Sequence, residues 1–131
     1  MRLINPAELG APSGYSHGAL APAGSRILFV AGQVGWDQDQ HLVSDSFVDQ
    51  FEQALDNVVT VVKEAGGTAE NVARLTIFVT DKQEYLEGLE ALGQAYRRVM
   101  GRHFPAMALV EVQALLEPGA KIEIEGTAAI P

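Results

Sequence analysis

Between Ser46 and Ala65 the apolar residues Phe47, Phe51, Ala54, Leu55, Val58, Val59 and Val62 recur at intervals of three and four, and Gly66-Gly67 follows directly. That spacing puts all seven on one face of an α-helix, and the glycine pair supplies its stop. A helix with a single apolar stripe has to be buried against another element. The rest of the chain offers short β-rich runs for that purpose. Tyr15–Leu20 and Arg26–Val34 read as strands joined through Pro22-Ala23-Gly24, so a hairpin is expected. Val72–Val79 is a buried strand by composition, another runs from Pro105 through Val112, and Lys121–Ile130 alternates charged and apolar residues as Lys-Ile-Glu-Ile-Glu. A second helix is expected from a cap at Thr80 or Asp81 to Gly101, with Tyr85, Leu86, Leu89, Leu92, Tyr96 and Val99 as its apolar set. The order is ββαβαββ, an α+β chain with two helices on one face of a mixed sheet.

The strand after Pro105 carries apolar residues on both faces: Met107 and Leu109 on one, Ala108, Val110 and Val112 on the other. With the helices on one side, the second side reads as a subunit interface. With 131 residues and 47% apolar content, one domain spanning 1–131 is expected. No run reaches the roughly 18 apolar residues of a membrane span, and the start Met-Arg-Leu-Ile-Asn-Pro lacks the layout of a signal peptide. A soluble, cytoplasmic protein without a membrane partner is the expectation. There is no cysteine, hence no disulfide framework, thiol nucleophile or thiolate metal site. A net charge of −8, with nine Lys and Arg scattered singly apart from Arg97 and Arg98, would repel a phosphate backbone, so nucleic acid is not an expected partner. The glycines match neither a P-loop nor a dinucleotide fingerprint, and three histidines separated by tens of residues make no metal spacing.

Six segments occur in an order similar to that of RidA (YjgF) proteins: Gly14-Tyr15-Ser16, Val30-Ala31-Gly32-Gln33-Val34, Ala54-Leu55-Asp56-Asn57-Val58, Thr76-Ile77-Phe78-Val79-Thr80-Asp81, Phe104-Pro105-Ala106 and Val110-Glu111-Val112. Ile122-Glu123-Ile124-Glu125 closes the series, so the resemblance spans nearly the whole chain. It implies a fold like that of trimeric chorismate mutase, assembled as a homotrimer with small-molecule clefts between subunits. For the deaminase branch of that family it implies cofactor-free hydrolysis of imines and enamines to 2-oxo acids and ammonia. A ribonuclease reading, attached to some relatives, is disfavoured by the charge.

The deaminase branch anchors the substrate carboxylate with an arginine directly after Pro-Ala, whose planar fork makes two charge-assisted hydrogen bonds. Here that position is Met107, read equally as a gap-filling residue or a ligand contact. Leu109 stands where such proteins often carry cysteine, and Leu89 aligns approximately with an asparagine of their second helix. The 2-aminoacrylate deaminase label is therefore not transferred, and the pocket is expected to favour something less anionic. The resemblance retains Tyr15, the backbone around Ala31, Gly32 and Gln33, and Glu123 as the group that orients water and relays a proton. By spacing alone Glu123 and Glu125 are equivalent outward residues of an alternating strand; the resemblance alone separates them. His17 lies two residues beyond Tyr15, on the same face of an extended strand, and is a candidate ligand group beside its structural reading. Arg26, Arg74, Arg102 and His103 are candidate replacement cations, each also readable as a surface group. Glu111 shares the face of Met107 and Leu109 and reads chiefly as structural. A non-catalytic ligand-binding or chaperone-like trimer is the alternative function.

Overall fold

The computed structural model describes all residues, 1–131. The long amphipathic segment forms helix α1 (Phe47–Glu64), opened by Ser46, whose Oγ accepts from the Asp49 amide at 3.3 Å. It ends at Gly66, which takes φ +94°, a conformation glycine adopts without a Cβ clash. Every apolar residue of the stripe is buried, and Gln50 is buried with them.

The helix lies on a four-stranded sheet ordered β3 (Arg26–Val34), β6 (Ile122–Ile130), β4 (Val72–Val79) and β5 (Ala106–Glu111). Strand β4 pairs antiparallel with β6 and parallel with β5, so the sheet is mixed. A parallel pair needs a long crossover, supplied here by two helices, α2 (Lys82–Glu87) and α3 (Leu89–Met100). Leu75, Ile77 and Val79 of β4, with Ile122 and Ile124 of β6, face the helices and are fully or almost fully buried. Met107 and Leu109 are level with Leu75 and Ile77 in the parallel ladder, so they too face the helix side, while Ala108 and Val110 face away. The side away from the helices leaves Phe29, Ile27 and Val110 exposed, Phe29 by 78%.

The expected hairpin does not form. Strand β2 (Gly18–Leu20) pairs antiparallel with β1 (Arg2–Ile4) in a separate two-stranded sheet. The cause lies just upstream: the Ser16 amide donates to the Pro105 carbonyl at 3.1 Å, and its Oγ donates to the Phe104 carbonyl at 2.6 Å. This ties the segment to the start of β5, at the sheet edge opposite β3. The second helix also differs from expectation, breaking at Gly88 into α2 and α3. Glycine is costly inside a helix, about 1 kcal/mol against alanine, which favours an interruption there. Leu86 and Leu89 flank the break and remain 52% and 53% exposed. The chain thus carries one more strand and one more helix than ββαβαββ, within the same α+β arrangement.

Candidate functional site

The Ser16 anchor decides where Tyr15 goes. With its neighbour's amide and hydroxyl fixed to Phe104 and Pro105, Tyr15 sits beside β5, next to Met107 and Leu109 in a trough of about 210 Å3. Ser13, Gly14, Ile77, Tyr85 and Met107 continue from this trough into a wider cleft of about 430 Å3. Phe51 and Leu92 contribute apolar surface to the wider part, with Leu89 from α3 and Phe104 also lining it. Tyr96 is held by a 2.6 Å hydrogen bond from its hydroxyl to the His103 carbonyl, and its ring stacks on Phe104 at a centroid distance of 5.2 Å. Burial pushes the Tyr96 phenol well above its ordinary pKa, so it acts as a fixed neutral donor. No carboxylate and no imidazole lines either part.

The second group of sequence candidates lies elsewhere. Strand β3 carries a bulge in which Ala31 and Gly32 together fall opposite Glu125, between the Val30–Gly126 and Gln33–Ile124 pairs. Glu123 pairs with Phe78 and so lies on the sheet face away from the helices. Its carboxylate occupies the space above Gly32: a methyl group on that glycine would sit 2.5 Å from Oε2. Gly32, lacking a Cβ, is therefore what lets Glu123 lie over the bulge. Gln33 departs from this group. The bulge turns its side chain to the helix side, where it shares a polar hollow with Gln53 and Asn57, and its Nε2 donates to the Ala31 carbonyl at 3.1 Å.

Within one chain, then, Tyr15, Met107, Leu109 and Leu89 share a cleft, and Gly32 and Glu123 share the opposite sheet face. His17 stacks edge-on against Tyr15 at 5.4 Å, but its ring is tied at 3.1 Å to the Gly10 carbonyl, outside the cleft lining. Three of the other candidates have local partners, while Arg102 is exposed. Arg26 donates to the Pro131 carbonyl at 3.1 Å, His103 Nε2 lies 2.7 Å from the Val72 carbonyl, and Glu111 accepts from the Lys82 amide at the start of α2. Arg74 lies on the open face beside Glu125. Sequence reasoning missed Arg97, which lines the wider cleft. The available signal was its period: Leu89, Gly93 and Arg97 stand four apart on one helix face.

The chain is thus an α+β protein with a mixed four-stranded sheet backed by helices on one side and a tyrosine-flanked cleft at its parallel edge. The chain belongs to the Endoribonuclease L-PSP family, which it matches over residues 6–130. It is 32% identical over 129 residues to the human 2-iminobutanoate/2-iminopropanoate deaminase, covering 97% of this chain and 88% of that one. The Rid-family protein YyfB of Yersinia pestis superposes with a TM-score of 0.85 at 35% identity, covering 98% of each chain. Escherichia coli TdcF, solved with bound serine, gives a TM-score of 0.68 at 28% identity, covering 93% of this chain and 92% of that one. Deamination of 2-iminobutanoate and 2-iminopropanoate thus stands among the named activities of the relatives. No helix is long and apolar enough to cross a membrane.

Proposed function

We propose that this protein hydrolyses imines, enamines or a related C–N bond of a small metabolite, at clefts completed between the subunits of a homotrimer. The observation that carries this reading is the separation of Tyr15 and Glu123 onto opposite sides of one sheet. Each lies at an accessible surface, and the Glu123 face also exposes Phe29, Ile27 and Val110, an apolar surface that gains from being covered. A neighbour that brings its Glu123 to the Tyr15 cleft supplies the acid–base group the cleft lacks. Water oxygen then adds to the imine carbon, one water proton passing to the Glu123 carboxylate, which returns a proton to the nitrogen. The hydroxyl proton of the resulting carbinolamine then passes through the same carboxylate to the nitrogen as the C=O bond forms and C–N breaks, so that an imine and water give a carbonyl compound and ammonia. Tyr15 hydrogen-bonds the attacking water.

The test is ammonia release from imines generated in situ by amino-acid and amine oxidases, with and without a carboxylate. Acceleration that falls about 10²- to 10⁴-fold in Glu123→Gln supports the reading. If no imine is accelerated, while Met107→Arg confers binding of 2-oxo acids, the native hydrolase reading is lost. Sedimentation analysis tests the trimer. The absence of a carboxylate or imidazole from the cleft lining favours, as a second reading, a non-catalytic ligand-binding trimer; a ligand that raises thermal stability and is recovered unchanged supports that one. RNA binding is expected to be weak, given the net charge of −8.

A further inference from the structure

We infer that Arg97 is the anion-binding group of this cleft, holding the carboxylate of a ligand whose other end is a bulky apolar group. The inference rests on the reading of the cleft as the substrate site and specifies its ligand. Position 107, where the family's arginine would stand, holds methionine, yet the cleft is not without a cation. Arg97 lines it from α3 and enters neither of the molecule's ion pairs, which join Arg98 to Glu52 and Lys121 to Glu84. The adjacent Arg98 is committed: its Nε donates to Glu52 at 2.7 Å. Arg97 therefore carries an uncompensated charge at the edge of a cavity with no acidic lining residue.

Gly93 leaves room for the guanidinium. It lies one turn before Arg97, and a Cβ there would come within 3.3 Å of the Arg97 Nη1. The guanidinium thus folds back along the helix across the bare glycine, the direction in which long helical side chains run. The same absence of a side chain widens the cleft. A cleft of about 430 Å3 is of the size that takes a drug-sized ligand, well beyond the six heavy atoms of a methyl-bearing imino acid. Most of the lining residues are apolar, among them Tyr85, Leu89, Leu92, Phe104 and Met107. A cation beside such a wall selects an amphiphilic carboxylate: a 2-imino acid with a large aliphatic or aromatic side chain, in preference to one with a methyl or ethyl group.

The experiment uses the intact protein, with 3-phenylpropanoate and its uncharged amide as unreactive probes in equilibrium binding. The wild type is expected to bind the acid more tightly than the amide. Arg97→Gln weakens the acid about tenfold, as for one charge-assisted contact at a partly hydrated site, and leaves the amide unchanged. Arg97→Lys retains part of the preference. Arg97 is exposed and is bonded only through its backbone, whose carbonyl accepts from the Gly101 amide at the helix end, so circular dichroism should show these side-chain variants folded as the wild type. Equal binding of acid and amide by the wild type, undiminished binding of the acid by Arg97→Gln, or no binding of either probe overturns the assignment. The hydrolase reading is separable. If the acid binds through Arg97 but no imine is turned over, the site stands and the hydrolase fails. If phenylalanine- and leucine-derived imines are hydrolysed with KM unchanged in Arg97→Gln, the hydrolase stands and the Arg97 assignment fails.

Discussion

Gln50→Leu should destabilise the protein by about 3 kcal/mol. Gln50 is fully buried in α1 and makes three hydrogen bonds: Nε2 donates to the Ser44 carbonyl at 2.9 Å and the Gly119 carbonyl at 3.2 Å, and Oε1 accepts from the Lys121 amide at 2.8 Å. Leucine fills similar space but leaves all three backbone groups unpaired. An unsatisfied buried group costs about 1–3 kcal/mol, so roughly 2 for the Lys121 amide and 1 for the Ser44 carbonyl; the exposed Gly119 recovers water at little cost. The backbone has no room to relax, because Gly35 packs so closely that a Cβ on it would lie 2.6 Å from the Gln50 Cα. In urea titration followed by the fluorescence of the single tryptophan, Trp36, at one fixed protein concentration, the midpoint should fall accordingly. The melting temperature should drop by about 10 °C for a chain of this size. Gln53→Leu, which loses only a half-buried bond to Asn57, is the control and should cost under about 1 kcal/mol. A Gln50→Leu protein within about 0.5 kcal/mol of wild type would falsify the argument that unpaired backbone groups dominate here.

Gly32→Ala should displace the Glu123 carboxylate and, if Glu123 is catalytic, lower kcat by about 10²-fold while the fold persists; unchanged turnover would remove Glu123 from the chemistry. Tyr96 sets an alkaline limit. Above its ordinary pKa of 10.0 the unfolded phenol ionises while the buried one keeps its proton, so the unfolded state binds fewer protons and stability falls as pH rises, by up to about 1.4 kcal/mol per pH unit. Tyr96→Phe should show a shallower decline, read from urea midpoints from roughly pH 9 to 11; parallel declines would assign the loss to other groups. Ser16→Ala, which frees the Phe104 carbonyl, should cost about 1–2 kcal/mol and raise KM more than it lowers kcat, because it loosens Tyr15. A uniform loss of both parameters would point to global loosening instead.

Helix α1 could be read directly because its period and caps are local. The partner of β2 could not: it depends on Ser16 meeting Phe104, a contact across 88 positions that no pattern in residues 15–34 announces. The period-two rule fails at Gln33 for a related reason, since a single bulge turns the residue beyond it to the other face. The six-segment resemblance identified Met107 and Leu109, and the structure brings both to Tyr15. In the sequence Arg97 and Arg98 are an undistinguished pair, and no local pattern says which of them is committed elsewhere. Only the contrast between Arg98, bound to Glu52, and Arg97, free beside Gly93, separates them.

The placement of Tyr15 and Glu123 on opposite sides of one sheet has a consequence for inheritance. Where a site closes between chains, as proposed, two inactive alleles need not give an inactive cell. A Tyr15→Phe chain still carries an intact Glu123 surface, and a Glu123→Gln chain an intact Tyr15 cleft. Co-expressed, they form mixed assemblies in which some junctions join two unaltered halves, so activity partly returns. Two alleles damaged on the same side have no such junction, and sorting mutations into complementing and non-complementing groups would map the two halves without a further structure.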